Sequence, residues 1–387
     1  MQEQALHNSR IRSVDILRGI VMVIMALDHT RDFFSNFTHN PTDLEYTTTG
    51  MFFTRWITHF CAPVFIFLAG TSAYLSLSKK KNKNSAALFL LKRGIWLIIL
   101  EVTVVRFGWM FNLDYAHVVM QVIWAIGWSM VFLAGLIYLP FYAILSIGLL
   151  MIFGHNALDD IQAETMGSGG FLWNILHDPD IVKSGGNNYY VFYSLVPWIG
   201  VMATGYCFGK LLQQSNRDKL LYLTGASAII LFIVLRAANL YGDPYPWTAQ
   251  DSWDKTLLSF LNCNKYPPSL LYLCMTLGPA ILLMPLLDKM DSAVGRFFKV
   301  FGAVPMFYYI LHIYLIHGMA LALGMMLGLP VTYFTESGMM FTGRPGWGYD
   351  LPGVYLAWAI AVLLLYFPSR WFMKVKQQHK KWWLSYI

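Results

Sequence analysis

Apolar runs long enough to cross hydrocarbon recur along nearly the whole chain, and they leave few architectures open. A membrane helix needs about 20 predominantly apolar residues, and about ten stretches here reach that length. In lipid every backbone N–H and C=O must be satisfied within the chain, so a helical bundle is the expected fold. Only 13% of the 387 residues are Asp, Glu, Lys or Arg, about half the share in a soluble domain. The reading is therefore all-α: a polytopic integral membrane bundle of about ten spans, with residues 1–387 as a single domain.

The spans fall at about 14–33, 52–77, 86–106, 117–137, 138–154, 189–211, 219–240, 267–287, 300–323 and 352–373. Pro63 and Gly70 predict a kink in the second. Residues 155–188, rich in Gly, Asp and Asn, read as a long flexible loop. The net charge of +7 does not point to nucleic acid, because its distribution is that of membrane flanks. Lys79, Lys80, Lys81, Lys83, Lys92 and Arg93 sit around the link between spans two and three, and Lys374, Lys376, Lys380 and Lys381 sit in the tail. Such clusters set orientation and meet anionic lipid. They predict cytoplasmic N- and C-termini. The polar start with Arg10 and Arg12 lacks the pattern of a cleavable signal peptide. No internal repeat is visible. Cys61, Cys207, Cys263 and Cys274 show no metal-ligand spacing and no disulfide framework, and no metal is expected.

The first run, R-S-V-D-I-L-R-G-I-V-M-V-I-M-A-L-D-H over 12–29, is unusual for a span because it carries charge at both ends. At 100° per residue, Asp15, Arg18, Met22, Met25, His29 and Asp32 share one helical face. Arg18 and His29 lie three turns apart, roughly 16 Å. That stripe reads as the lining of a path, with a guanidinium near one surface and a titratable imidazole toward the other. Asp15 pairs with Arg18 in this reading. Asp32, one turn past His29, hydrogen-bonds one ring nitrogen and leaves the other as a base. Met22 and Met25 give either a soft apolar wall or plain packing.

An ionisable group at mid-bilayer costs on the order of 2.5–3.5 kcal/mol on insertion scales, so it usually has a role or a partner. Arg55 and His59 share a face of span two and complete a pocket beside His29, or form a satisfied core pair. Glu101 reads as structural, paired with Arg18 or Arg106. Arg236 is a further charge within a span. His312 and His317 accompany Tyr308, Tyr309 and Tyr314 in span nine and line the acceptor end, or pack as hydrogen-bonded aromatics. The spacing from His155 to Asp160 matches a glycerolipid acyltransferase motif, but it is short and stands alone.

Several stretches resemble known transmembrane acyltransferases. Arg18 followed by His29 eleven residues on resembles the Arg-x10-His signature of the acyltransferase-3 family. The Ser-Val-Asp opening with P-V-F-I-F-L-A-G-T-S-A-Y-L-S (63–76) is similar to the heparan-alpha-glucosaminide N-acetyltransferase family. F-G-A-V-P-M-F-Y-Y-I-L-H-I-Y-L-I-H (301–317) resembles a late span of these enzymes. The resemblance implies acetyl-CoA or another acyl-CoA as co-substrate, entering from the cytoplasm. A histidine near the far side then assists transfer to a sugar amine or hydroxyl, in a bacterial inner membrane. The first pattern places that histidine at His29. The second places it in the first outer loop, where His39 is nearest, so both stay candidates.

The expected function is acyl transfer from cytoplasmic acyl-CoA to a glycan or amino sugar at the extracytoplasmic face. His29, or else His39, is the catalytic base or transient acyl carrier, with Asp32 as its partner. Arg18, Asp15, Lys92 and Arg93 meet the anionic CoA end, and Arg55, His59, His312 and His317 meet the acceptor. A homodimer stays open. The alternative is a proton-coupled small-solute transporter using the same ionisable residues as relays.

Overall fold

The computed structural model describes residues 11–77, 82–336, 346–379 and 381–386. Arg10, Lys79, Lys80, Lys81 and Lys380 lie outside the described residues. The chain is mostly helical, as expected. Helix α1, Arg12–Phe34, is its axis: it packs against the helices that follow it directly and against those at the far end of the sequence. These are α2 (Thr49–Thr58), α3 (Cys61–Leu77), α12 (Leu270–Lys289), α13 (Ala293–Ala303), α14 (Pro305–Met326) and α16 (Leu351–Gln378). A second layer is built from α4 (Lys83–Leu100), α6 (Val122–Leu136), α7 (Phe141–Gly154), α9 (Leu195–Leu211) and α10 (Arg217–Ala238).

Among the described residues, six helical segments are long and apolar enough to cross a membrane: Thr49–Leu77, Phe141–Leu158, Arg217–Ala238, Leu270–Lys289, Pro305–Met326 and Leu351–Gln378. The count of about ten is not confirmed. α1 has the length, at 23 residues, but carries charges at both ends. α6 is apolar but only 15 residues long.

Glycine sets how closely the helices cross. A Cβ on Gly19 would meet the Phe298 carbonyl oxygen at 1.9 Å, and one on Gly302 would meet the Asp15 carbonyl oxygen at 1.8 Å. The α1–α13 crossing is therefore backbone on backbone, and it fixes where Arg18, the residue before Gly19, emerges. Gly70 and Gly205 do the same between α3 and α9. Lipid gives no hydrophobic drive for helices to associate, so close approach through small residues supplies much of the attraction.

The kink expected in the second span is a break at His59 and Phe60, between α2 and α3. Pro63 has no N–H to give the carbonyl four residues back, at His59. The Tyr272 hydroxyl donates to that carbonyl instead, at 2.7 Å. The ninth span starts later than read. Residues 300–303 end α13, and Pro305 opens α14 at a position where its missing N–H costs nothing.

The largest departure is in the region read as loop. Residues 155–188 contain two 3-10 turns, the short helix α8 (Gly170–Leu176) and strand β2 (Ile181–Ser184). Strand β3 (Asn187–Val191) pairs antiparallel with β2 and parallel with β1 (His117–Met120), giving the order β1-β3-β2. Gly185 and Gly186 both have positive φ, 60° and 83°, as a two-residue hairpin turn with the twist of its strands requires. Span four accordingly begins its helix at Val122, and span six begins at Leu195.

Candidate active site

α1 meets a cavity at each end. The first, of about 420 Å³, is lined by Arg18, Arg93 and Lys376 and walled by apolar side chains that include Met22, Leu97 and Ile126. Arg18 is held in place: its Nη2 donates to the Ser72 hydroxyl at 2.6 Å and its Nη1 to the Gly302 carbonyl at 3.3 Å. The Asp15 carboxylate lies 3.7 Å from the same guanidinium, one turn back as expected. No carboxylate lines this cavity among the described residues. Three cations at the mouth of an apolar slot suit a ligand with an anionic end and a thin uncharged arm. Met22 lines the slot, whereas Met25 is buried in packing.

The second cavity, of about 320 Å³, lies at the other end of α1. His29, Asp28, Arg31 and Asp32 line it, with Arg55 from α2 and Lys265 from the 241–269 connection. Its charges are paired. The Arg55 guanidinium holds both Asp28 oxygens, at 2.7 and 2.5 Å, and Arg31 bridges Asp28 at 3.0 Å and Asp32 at 2.6 Å. Trp109, Trp347 and Tyr266 add aromatic faces. Burial raises the affinity of the Tyr266 phenol for its proton, but the Lys265 ammonium and the Arg55 guanidinium outweigh it and hold the group below its usual range.

His29 stands between the two spaces. Its Nδ1 lies 2.6 Å from His312 Nε2, and the rings stack with centroids 4.8 Å apart. His312 Nδ1 in turn faces the Tyr308 carbonyl at 3.1 Å. A carbonyl only accepts, so the neutral His312 carries its proton on Nδ1 and accepts on Nε2. His29 then donates from Nδ1, and its Nε2 keeps the lone pair. Asp32 was expected in the orienting role; its carboxylate is with Arg31, and the residue on the His29 ring nitrogen is His312. The Tyr309 ring sits 6.5 Å from that of His29 and lines the Arg18 cavity. Tyr309, on the first cavity, and His29, on the second, thus stand edge to face between the two linings. The Tyr309 hydroxyl is buried and makes no hydrogen bond among the described residues.

Other expected residues lie elsewhere. His39 is exposed at the rim of the second cavity, stacked on Tyr46 at 4.0 Å. His59 lines neither cavity; it closes α2 and is buried in the core beside Tyr272. His312 supports His29 from behind, fully buried, and does not reach the cavity. His317 is structural: its nitrogens face the Gly108 and Phe334 carbonyls at 2.9 and 3.0 Å. Lys92 is exposed and lines no cavity, unlike its neighbour Arg93. Glu101 has no arginine partner in the hydrogen-bond geometry. Its carboxylate accepts the Trp124 N–H at 3.0 Å and caps the start of α6, within a π-helical turn of its own. Arg236 ties the 241–262 connection to α10 through the carbonyls of Tyr245, Ser259, Phe260 and Asn262. Lys376, Lys265 and Tyr266 are cavity-lining residues that sequence reading did not assign. Lys376 looked like one more flank lysine, and Lys265 lies far from the other site residues in sequence.

The described residues form a helical bundle, with a cationic, apolar-walled cavity at one end of α1 and a histidine pair beside a second cavity at the other. Residues 10–239 match the model of the family described as heparan-alpha-glucosaminide N-acetyltransferase, catalytic. The chain belongs to that family, which marks it as a membrane acetyltransferase. A search of curated proteins gives no match.

Proposed function

We propose that the protein transfers an acyl group, acetyl in the first instance, from acyl-CoA in the Arg18 cavity to an amine or hydroxyl of a sugar in the His29 cavity. The observation that carries this reading is the edge-to-face ring pair of His29, which lines the second cavity, and Tyr309, which lines the first. The cationic mouth is the cytoplasmic side, and the paired-charge cavity faces outward. Arg18, Arg93 and Lys376 hold the phosphates of CoA, and the apolar slot holds the pantetheine arm. Family membership supports acetyl-CoA as the donor. Trp109 and Trp347 offer faces to a sugar ring.

In this mechanism His29 Nε2 removes the proton from the attacking amine or hydroxyl as the new C–N or C–O bond forms. The tetrahedral oxyanion collapses, the C–S bond breaks, and the CoA thiolate leaves with the electron pair. The Tyr309 hydroxyl donates to the oxyanion. His312 is a positioning residue that fixes the tautomer of His29. A covalent acyl-histidine at Nε2 uses the same geometry and differs by ping-pong kinetics.

The test uses purified full-length protein in lipid nanodiscs, with acetyl-CoA and a panel of amino and neutral sugars, following release of free CoA thiol and acetylated product. Acceptor-dependent release that His29→Ala abolishes, with the protein still folded, is the expected result. Proton-coupled solute uptake with no acyl-CoA turnover would overturn the proposal.

A further inference from the structure

A third polar cluster lies apart from both cavities. His155 and Asp159 sit in the turn that ends α7, and His177 follows the last residue of α8. One ligand atom from each lies within 4.8 Å of the others. Both histidines are almost wholly buried, at 2% and 1% exposure. Among the described residues, neither their four ring nitrogens nor Asp159 Oδ1 makes a well-aligned hydrogen bond, though the Pro268 carbonyl lies near the His155 ring. Buried groups of this kind are nearly always satisfied, so a missing partner is indicated.

We propose that His155, Asp159 and His177 bind one divalent transition-metal ion of the zinc class. Two imidazoles and a carboxylate are a donor set for zinc rather than for magnesium or calcium, which take oxygen. The geometry is close to a loaded site. His177 Nε2 and Asp159 Oδ1 are 3.1 Å apart but off hydrogen-bond alignment, close to the roughly 3.3 Å that separates two ligand atoms on a tetrahedral zinc. The outer shell is in place as well. Asn156 Nδ2 donates to Asp159 Oδ2 at 2.8 Å, which leaves Oδ1 for the ion, and Asn156 Oδ1 accepts the Leu270 N–H at 2.9 Å. The Pro268 carbonyl lies beside the His155 ring, placed to take the N–H of whichever nitrogen faces away from the metal.

Access is also provided. Asp159 and His177 line a cavity of about 410 Å³ whose other residues include Glu164, Asp178 and Asp180. That acidic approach concentrates cations, and it leaves the fourth coordination position to water. The cavity shares Tyr266 with the His29 cavity. The ion thus cross-links the end of α7 to α8 and braces the 155–177 excursion beside the acceptor space. The pattern escapes sequence reading because His177 is brought back to His155 and Asp159 only by the fold.

The experiment uses untagged full-length protein, stripped with chelator, desalted and given stoichiometric Zn²⁺ or Co²⁺. Metal retained per chain is measured by mass spectrometry, the Co²⁺ form by its visible d–d absorption, and stability by thermal unfolding. The expected result is one equivalent retained, a d–d spectrum of nitrogen and oxygen ligands, and a rise in Tm on loading. His177→Ala and Asp159→Asn lose the retained equivalent and the rise in Tm. Asp159→Asn keeps the size of the side chain and an acceptor for Asn156, so it remains a folded control should His177→Ala fail to fold. Stripped wild-type protein that retains neither ion, or an Asp159→Asn protein that retains the same equivalent with the same spectrum, overturns the proposal.

Discussion

The two ends of α1 carry similar side chains arranged to opposite effect. At the Arg18 end three cations line a cavity that no carboxylate lines among the described residues, and Asp15 stands behind Arg18. At the His29 end Arg31, Arg55 and Lys265 are interleaved with Asp28 and Asp32. The first lining carries an excess of positive charge for an anionic ligand to meet, whereas in the second two of the three cations are tied to carboxylates. A cation in the first place should therefore act on donor affinity, and a cation in the second on stability and on the pose of His29. The same residue type has two functions, and its counter-charge decides which.

The largest expected effect is at the junction. His29→Ala should lower kcat for acyl transfer by roughly 10³-fold, within the range for loss of a general base. The Kd for acyl-CoA, measured by calorimetry on the same protein, should stay within about twofold, because the donor cavity does not include the imidazole. A large loss of donor affinity instead would merge the two cavities into one binding unit and remove the contrast drawn here.

Next in size is the paired end. Arg55→Leu leaves Asp28 with Arg31 alone, and breaking a largely buried ion pair should cost about 3 kcal/mol. A fall in Tm of the nanodisc-embedded protein reads this directly. Replacing both partners, as Asp28→Leu with Arg55→Leu, should recover part of the loss, since no uncompensated carboxylate then remains.

How much of this was visible in the sequence depended on whether a feature was local. The stripe on α1 was legible because Asp15, Arg18, Met22 and His29 lie on one helix, and periodicity alone gathers them. Roles set by distant partners were not. Asp32 had the right spacing to orient His29, but Arg31 beside it takes the carboxylate, and His312 arrives from 283 residues away. Arg55 and His59 were read as completing one pocket; α2 ends at Thr58, and of the two only Arg55 lines the His29 cavity. The Ser-Gly-Gly-Asn turn carried its hairpin signal, yet its strands are short and gain their partner only from β1, far upstream. Lys376 was legible as a cation but not as a lining residue, since α16 runs to Gln378 and brings it over the Arg18 cavity.

The contrast is sharpened at the Arg18 end by Arg93→Gln. Its guanidinium lines the Arg18 cavity, and its Nε is buried without a hydrogen-bond partner among the described residues. Loss of one such phosphate contact should raise KM for acyl-CoA about tenfold, equivalent to about 1.4 kcal/mol, with Tm and kcat little changed. The difference from wild type should shrink as salt rises from low to high ionic strength, because the site opens to solvent. A fall in Tm as large as that of Arg55→Leu would show that Arg93 is structural.

The smallest effect is expected at His39, and it decides between the two histidines that sequence patterns nominated. His39 is exposed, stacks on Tyr46 and reaches only the rim of the cavity. Water competes for its ring nitrogens, and no hydrogen bond among the described residues fixes its tautomer. His29 has its tautomer set by His312 and the Tyr308 carbonyl. A base held in one tautomer at the boundary of the two cavities has the advantage of orientation, which is where much of the rate of a two-substrate reaction arises. His39→Ala should therefore change kcat/KM for the acceptor by no more than about threefold, consistent with the loss of one exposed contact. A loss of 10³-fold in His39→Ala, with His29→Ala still active, would move the chemistry to the first loop and leave the histidine pair as packing.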